Sequence, residues 1–353
     1  MLKFLYKDVV IKAMAVETPP IEVTSAELED KLAPLYERLG IPLGTLEKLS
    51  GIKSRYLWDK EVRPSQPATK VAESAISTAG IDKGDIDVLI NCSVTRDYFE
   101  PATAALVHRN LGLKENSLAF DITNACIGFS DGLIVLSNMI EQGAARAGVI
   151  VTAEAISRTL EICIEHLIKS ENLGRDKLLQ LLPTLTLGSS AVAFVVTHKS
   201  LDSDGHRLVG AVSRTASEHN ELCIGNDDFA AFQGDDFNPL METESAKLIA
   251  AAAKLGGRTW RDASEAFGWS RDDVDHIFCH QVGRQVNDSF YQEMGLDISK
   301  EFTVYKKYGN PISAALPTAL VIGSKEKQIS KGEKVLLTAF GSGLNCRFIG
   351  IEW

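Results

Sequence analysis

The 353 residues include 45% hydrophobic and 24% charged side chains, with a formal net charge of -10. A chain of this length and apolar content can bury a large core, and its acidic balance argues against a phosphate-tracking surface for nucleic acid. A local basic patch for one nucleotide-like ligand stays open. The six cysteines (Cys92, Cys126, Cys163, Cys223, Cys279, Cys346) form no Cys-x-x-Cys pair, so neither a zinc site nor a disulfide framework is signalled and no metal is expected.

From the N-terminus, Lys3, Lys7 and Lys12 interrupt the apolar residues before a signal-peptide core can form. No later apolar run approaches the ~18 residues that span a bilayer, and free thiols suit a reducing compartment, so the expectation is a soluble cytoplasmic protein. Residues 68–80 place Val71, Ala72, Ala75 and Ala79 at helical spacing, with Gly80 able to end the helix. Apolar, β-branched runs follow at 88–94, 117–125, 148–155, 190–197, 276–282 and 334–343. Alternating with helical segments, such as 243–260, they predict an α/β fold with buried strands. Stretches 156–186 and 217–243 interrupt the alternation. The first is apolar enough to line or lid a cavity, and equally suits an ordinary helical insertion.

One pattern occurs twice. Asp85-Ile86-Asp87 precedes the run at 88, and Asp273-Val274-Asp275 precedes the run at 276. Two copies of one α/β unit account for this better than two unrelated domains. The turn-like residues Lys199 to Gly205 place the join, giving an N-terminal half 1–205 and a C-terminal half 206–353.

Cys126 stands where a strand-like run turns into helical periodicity, a position whose unpaired amides and helix dipole would stabilise a thiolate. Such a sulfur can attack a thioester; a lone cysteine there also suits an inert core position. His280 ends a strand of the second half, and open α/β sheets collect chemistry at the carboxyl ends of strands. Asn310 lies in the turn-like Tyr308-Gly309-Asn310-Pro311, ahead of a small-residue helix. A neutral imidazole N–H and an amide NH₂ can together hold a carbonyl oxygen that gains charge. Each also has a plain structural use, as a satisfied core histidine or a helix cap.

In the contexts Asn124-Ala125-Cys126-Ile127-Gly128, His280-Gln281-Val282 and Gly309-Asn310, these three residues resemble the ketosynthase III branch of the thiolase superfamily, over essentially the whole chain. Segments 96–104, 184–189, 217–226 and 341–346 narrow the resemblance to the OleA group of head-to-head acyl-CoA condensing enzymes of long-chain olefin biosynthesis. The resemblance implies a five-layered α-β-α-β-α thiolase fold of two duplicated halves and a homodimer. Cys126 becomes the acylated nucleophile, and His280 and Asn310 the holders of the second thioester's enolate. The amides of Cys126 and Ser342 would hold the acyl-enzyme oxygen.

Glu100 matches the glutamate that this group places in the partner subunit's site, where it would take the α-proton of an unactivated thioester. On residue grounds alone it is an acid before Pro101 at a helix start. The implied reaction joins two acyl-CoA thioesters without decarboxylation and needs no cofactor, coenzyme A thioesters being the substrates; downstream olefin-pathway enzymes are implied partners. The rival is a ketosynthase III that decarboxylates a malonyl donor and gives Glu100 no essential role. The Trp and Arg with which initiating enzymes clamp adenine are absent before Gly51-Ile52, where Thr45 to Ser50 stand, and no residue gripping the nucleotide is identified. Lys53, Arg55 and Trp58 are the nearby cations and aromatic that could serve the nucleotide instead, each equally suited to ordinary surface. Gly188-Ser189-Ser190 replaces the initiators' Gly-Asp-Gly stretch.

Overall fold

A computed structural model of the chain describes residues 1–201, 204–225, 241–281 and 283–353, without the side chains of 284–288. Ten strands form its main sheet: β1 (Leu2–Leu5), β2 (Val9–Glu17), β3 (Val88–Asn91), β4 (Leu118–Asp121), β5 (Ala147–Glu154), β6 (Ser190–His198), β7 (His206–Thr215), β8 (His276–Cys279), β9 (Lys334–Gly341) and β10 (Asn345–Glu352). Their order is β8-β9-β10-β7-β2-β6-β5-β3-β4, with β1 on β7.

The pairings repeat. In the first half β3 lies parallel to β5, which runs antiparallel to β6, and β6 to β2. In the second, β8 lies parallel to β9, which runs antiparallel to β10, and β10 to β7. The repeated Asp-x-Asp has a matching duty in each copy. Asp87 accepts the Arg146 amide at 2.8 Å and gives its own amide to Ala147 at 2.9 Å. Asp275 accepts the Lys334 amide at 2.8 Å and gives its own amide to the Lys334 carbonyl at 2.9 Å. Each aspartate thereby closes the entrance of a parallel pair whose amides would otherwise lack partners.

Helices fill three layers around the strands. α1 (Ser65–Ala79) and α2 (Thr103–Leu111) cover one outer face. α4 (Ser245–Phe267) and α5 (Arg284–Met294) cover the other. α3 (Gly128–Glu141) and α6 (Ala315–Glu326) lie in the middle. Side chains alternate between faces of each strand. In β6, Ala191, Ala193 and Val195 meet the α1 and α2 side, whereas Val192, Phe194 and Val196 enter the central layer. This is the thiolase fold.

The strand runs read from the sequence are all present; those at 88–94 and 117–125 contract to β3 and β4, whereas 148–155 and 190–197 keep their length as β5 and β6. Composition missed β1, a short and largely exposed edge strand, and β2, β7 and β10, whose lysines, arginines and glycines dilute the apolar run while other positions still bury. The helix predicted over 68–80 is α1, ended by Gly80 at φ 67°. The interrupting stretches divide in use. Helix Ser157–Lys169 buries Leu160, Cys163, Ile164 and Leu167 in a separate cluster with the first 60 or so residues, as a packed insertion would. Helix Arg175–Leu181 and the turn after it face a cavity. Residues 226–240 of the second stretch, Val282, and two residues of the proposed join lie outside the described residues. No described helix is long and apolar enough to cross a membrane.

Candidate active site

Cys126 sits on an elbow. Ala125 before it adopts φ 46°, a left-handed conformation that costs a residue with a Cβ. The elbow is clamped from the other half: Asn124 donates its amide to Asp131 at 2.6 Å, and Arg347 of β10 donates to the same carboxylate at 2.7 Å. Two glycines allow the close approach of these parts. A Cβ on Gly128 would meet the Cys92 carbonyl at 2.7 Å, and one on Gly341 would meet Ile127 at 3.0 Å. The end of β9, with Ser342 beyond it, can therefore lie against the residue that follows Cys126.

His280 continues from β8, its amide donating to the Thr338 carbonyl at 2.9 Å. Its ring is buried and Nδ1 has no hydrogen-bond partner. Burial lowers its pKa to about 4, so the imidazole is neutral at physiological pH. Neighbouring Gln281 holds the strand end, donating to the Phe302 carbonyl at 2.7 Å and accepting the Val304 amide at 2.7 Å.

Asn310 is gripped on both sides by the segment 184–189. Its amide donates to the Thr186 carbonyl at 2.9 Å and its carbonyl accepts from Gly188 at 3.0 Å. The side-chain Oδ1 accepts the Ile312 amide at 3.0 Å, which leaves the NH₂ as the group free to donate to a bound oxygen. Ile312 adopts φ 51°, unfavourable for a β-branched residue, so strained backbone flanks Asn310 as it does Cys126.

Cys126, His280, Asn310 and Ser342 line one cavity of about 370 Å³. Its walls are mainly carbon, from Leu46, Leu182, Leu248 and Ala252, and from Phe290 and Phe340, whose rings stack 4.3 Å apart. Leu179, Pro183 and Thr186 from the first interrupting stretch, and Cys223, Met241 and Thr243 from the second, also line it. The volume and lining suit an acyl chain with a few polar groups at one end. Glu100 does not line this cavity; it lies on the exposed loop between β3 and α2, beside the exposed Tyr98 and Phe99.

Two expectations need correction. Cys126 is not a resting thiolate: burial pushes its thiol up to about 12, the nearby carboxylate of Glu154 adding to the rise. The helix begins only at Gly128, and the one opposing contribution is the residue's own amide. Arg55 and Trp58 are not available to coenzyme A, because both are buried. Arg55 donates to the Leu185 carbonyl at 2.9 Å and to Ser25 at 3.2 Å, bracing the segment that grips Asn310. Sequence reasoning also missed the Asp131–Arg347 clamp and a buried Glu154. A glutamate closing the apolar run Gly148-Val149-Ile150-Val151 was the available signal.

Residues 264–353 match the family of 3-oxoacyl-[acyl-carrier-protein] synthase III C-terminal regions, and residues 120–168 the 3-oxoacyl-[acyl-carrier-protein] synthase III family. An acyl-CoA:acyl-CoA alkyltransferase of Xanthomonas campestris is 34% identical over 349 residues, covering 99% of this chain and 100% of that one. The chain belongs to the OleA family. A second acyl-CoA:acyl-CoA alkyltransferase, from Shewanella oneidensis, is 32% identical over 99% of both chains. The crystal structure of a Cys-to-Ser variant of X. campestris OleA, with bound lauric acid and lauroyl-CoA, superposes with a TM-score of 0.92 at 34% identity, covering 99% of this chain and 100% of that one.

Proposed function

We propose that this enzyme joins two acyl-CoA thioesters head to head, without decarboxylation, to a 2-alkyl-3-ketoacyl product, the first step of long-chain olefin biosynthesis. The cavity shared by Cys126, His280 and Asn310 carries the reading.

Cys126 Sγ attacks the first thioester carbon and gives its proton to neutral His280 as the negative charge forms. The acyl–sulfur bond to coenzyme A breaks, and coenzyme A leaves as its thiol with that proton. A thiol of pKa about 12 reacts this way only in concert with a proton acceptor. The amides of Cys126 and Ser342 hold the oxygen of the tetrahedral intermediate. A second acyl-CoA then enters, and Glu100 of the neighbouring subunit takes its α-proton. Once the imidazole has exchanged through solvent to its Nε2–H tautomer, it and the Asn310 NH₂ hold the enolate oxygen. The carbanion forms the new carbon–carbon bond at the Cys126 thioester, the carbon–sulfur bond to Cys126 breaks, and the expelled sulfur takes back a proton while Glu100 releases the α-proton to solvent. Two acyl-CoA molecules give one branched 3-ketoacyl-CoA and one coenzyme A, with no cofactor consumed.

In this reading the protein is a cytoplasmic homodimer whose halves, 1–205 and 206–353, bring the nucleophile and the enolate-holding pair, and its product passes to downstream olefin-pathway enzymes. Glu100's exposure on its own chain, with Tyr98 and Phe99 beside it, supports donation across an interface.

Purified protein given one saturated acyl-CoA and no malonyl donor should release coenzyme A and form a product of doubled chain length. Turnover only with a malonyl thioester would replace this reading with the decarboxylative one. Glu100→Gln should abolish condensation and leave acyl mass on Cys126.

A further inference from the structure

Glu154, at the end of β5, has no solvent exposure. One carboxylate oxygen accepts the Val94 amide at 2.9 Å and the Ser313 hydroxyl. The other accepts the Thr95 amide at 3.0 Å and the Thr95 hydroxyl at 2.9 Å. Among the described residues no cation pairs with it, so four donors alone compensate its burial. Burying a carboxylate this way is expensive, and neutral groups could join the same segments at lower cost. What it joins is specific. Val94 and Thr95 lie on the loop between β3 and α2 that carries Glu100, and Asp97 ties that loop down again by accepting the Ser65 amide at 2.9 Å and hydroxyl at 2.7 Å. Ser313 lies three residues after Asn310, and its hydroxyl also meets Thr152 at 2.6 Å. Thr152 and Glu154 thus hold the serine from one strand.

We propose that Glu154 is a positioning residue, fixing the loop that carries Glu100 to the turn that carries Asn310, and so setting the proton-abstraction step of condensation. This rests on the reading of Glu100 as the base. Because Glu100 then serves the neighbouring subunit, Glu154 links the Asn310 of one site to the base of the other. Nucleophile acylation needs neither group, so the two half-reactions should separate.

Glu154→Gln keeps the size but sets an NH₂ against the Val94 or the Thr95 amide, whichever way it turns. Ser313→Ala leaves the Glu154 contacts to the loop and removes only the link to the Asn310 turn. Both variants, with Glu100→Gln and wild type, are given α-deuterated lauroyl-CoA. Acyl mass on Cys126, loss of deuterium to water, and condensed product are measured. In Ser313→Ala acylation should stay within about twofold of wild type, and in both variants deuterium loss and condensation per unit of acylated enzyme should fall about tenfold or more, a fall of about 1.4 kcal/mol in transition-state stabilisation. If deuterium is lost at the wild-type rate in Ser313→Ala but not in Glu100→Gln, the positioning role is wrong and the base assignment stands. Wild-type deuterium loss in Glu100→Gln overturns both. Equal loss of acylation and condensation in Ser313→Ala marks a merely structural role, and this readout holds even where Glu154→Gln fails to fold.

Discussion

The sulfur of Cys126 and the ring of His280 are both held neutral by burial, with pKa values near 12 and 4. Neutral partners suit a cavity that admits a long acyl chain, since a resting ion pair in carbon walls would be costly to desolvate. The sign of the pH dependence follows. A thiol raised to about 12 ionises only above the working range, so alkylation of Cys126 by iodoacetamide should rise about tenfold per pH unit between pH 6 and 9. A plateau by pH 8 in a pH series read by mass spectrometry would show a lowered thiol and sink the concerted proton transfer. Asn310 acts only if its NH₂ faces the cavity, an orientation the Ile312 amide enforces by donating to Oδ1. Asn310→Asp should keep that contact, place a charge against the enolate, and lower condensation about a hundredfold or more, read as product per unit acylated enzyme.

At the scale of elements, the site hangs on contacts between segments far apart in the chain. The Asp131–Arg347 pair holds the start of α3 to β10, with side chains only 17% and 11% exposed. Arg347→Ala would leave a carboxylate short of its charged donor, and should lower unfolding free energy by about 2 kcal/mol in a denaturant titration. A loss under half that would show the clamp to be replaceable by water. α4 presents Ala252 to the cavity that the Phe290–Phe340 stack also lines. Ala252→Leu should fill that space, cutting kcat/KM for longer acyl-CoA substrates about tenfold relative to shorter ones. Equal loss across chain lengths would place the chain elsewhere.

For the whole molecule, donation of Glu100 across an interface makes each site depend on two chains. Mixing and exchanging Cys126→Ala with Glu100→Gln protomers should restore about a quarter of wild-type activity, because half of the dimers are mixed and each carries one complete site. No recovery, with subunit exchange verified by native mass spectrometry, would place Glu100 in its own chain's site or outside catalysis.

Much of this was legible in the residues. The Asp-x-Asp repeat pointed to a repeated unit, and the structure gives each copy the same hydrogen-bonding duty at a parallel strand pair. Cys126, His280 and Asn310 stood at turns between periodic segments, where their chemistry could be guessed, and the resemblance to condensing enzymes joined them. The apolar strands declared themselves because burial on both faces leaves a continuous run. β2, β7 and β10 did not, since lysine or arginine at their less buried positions broke the run.

What tertiary structure alone decided was everything that depends on which distant groups meet. The protonation of Cys126 follows from cavity walls that include Leu46, well before it in the chain, and Leu248 and Phe290, far after it. The burial of Arg55 and the four donors around Glu154 depend on segments that chain order keeps apart. A sequence records which groups are present and their local periodicity; solvation and charge depend on separations in space, which only the folded chain fixes.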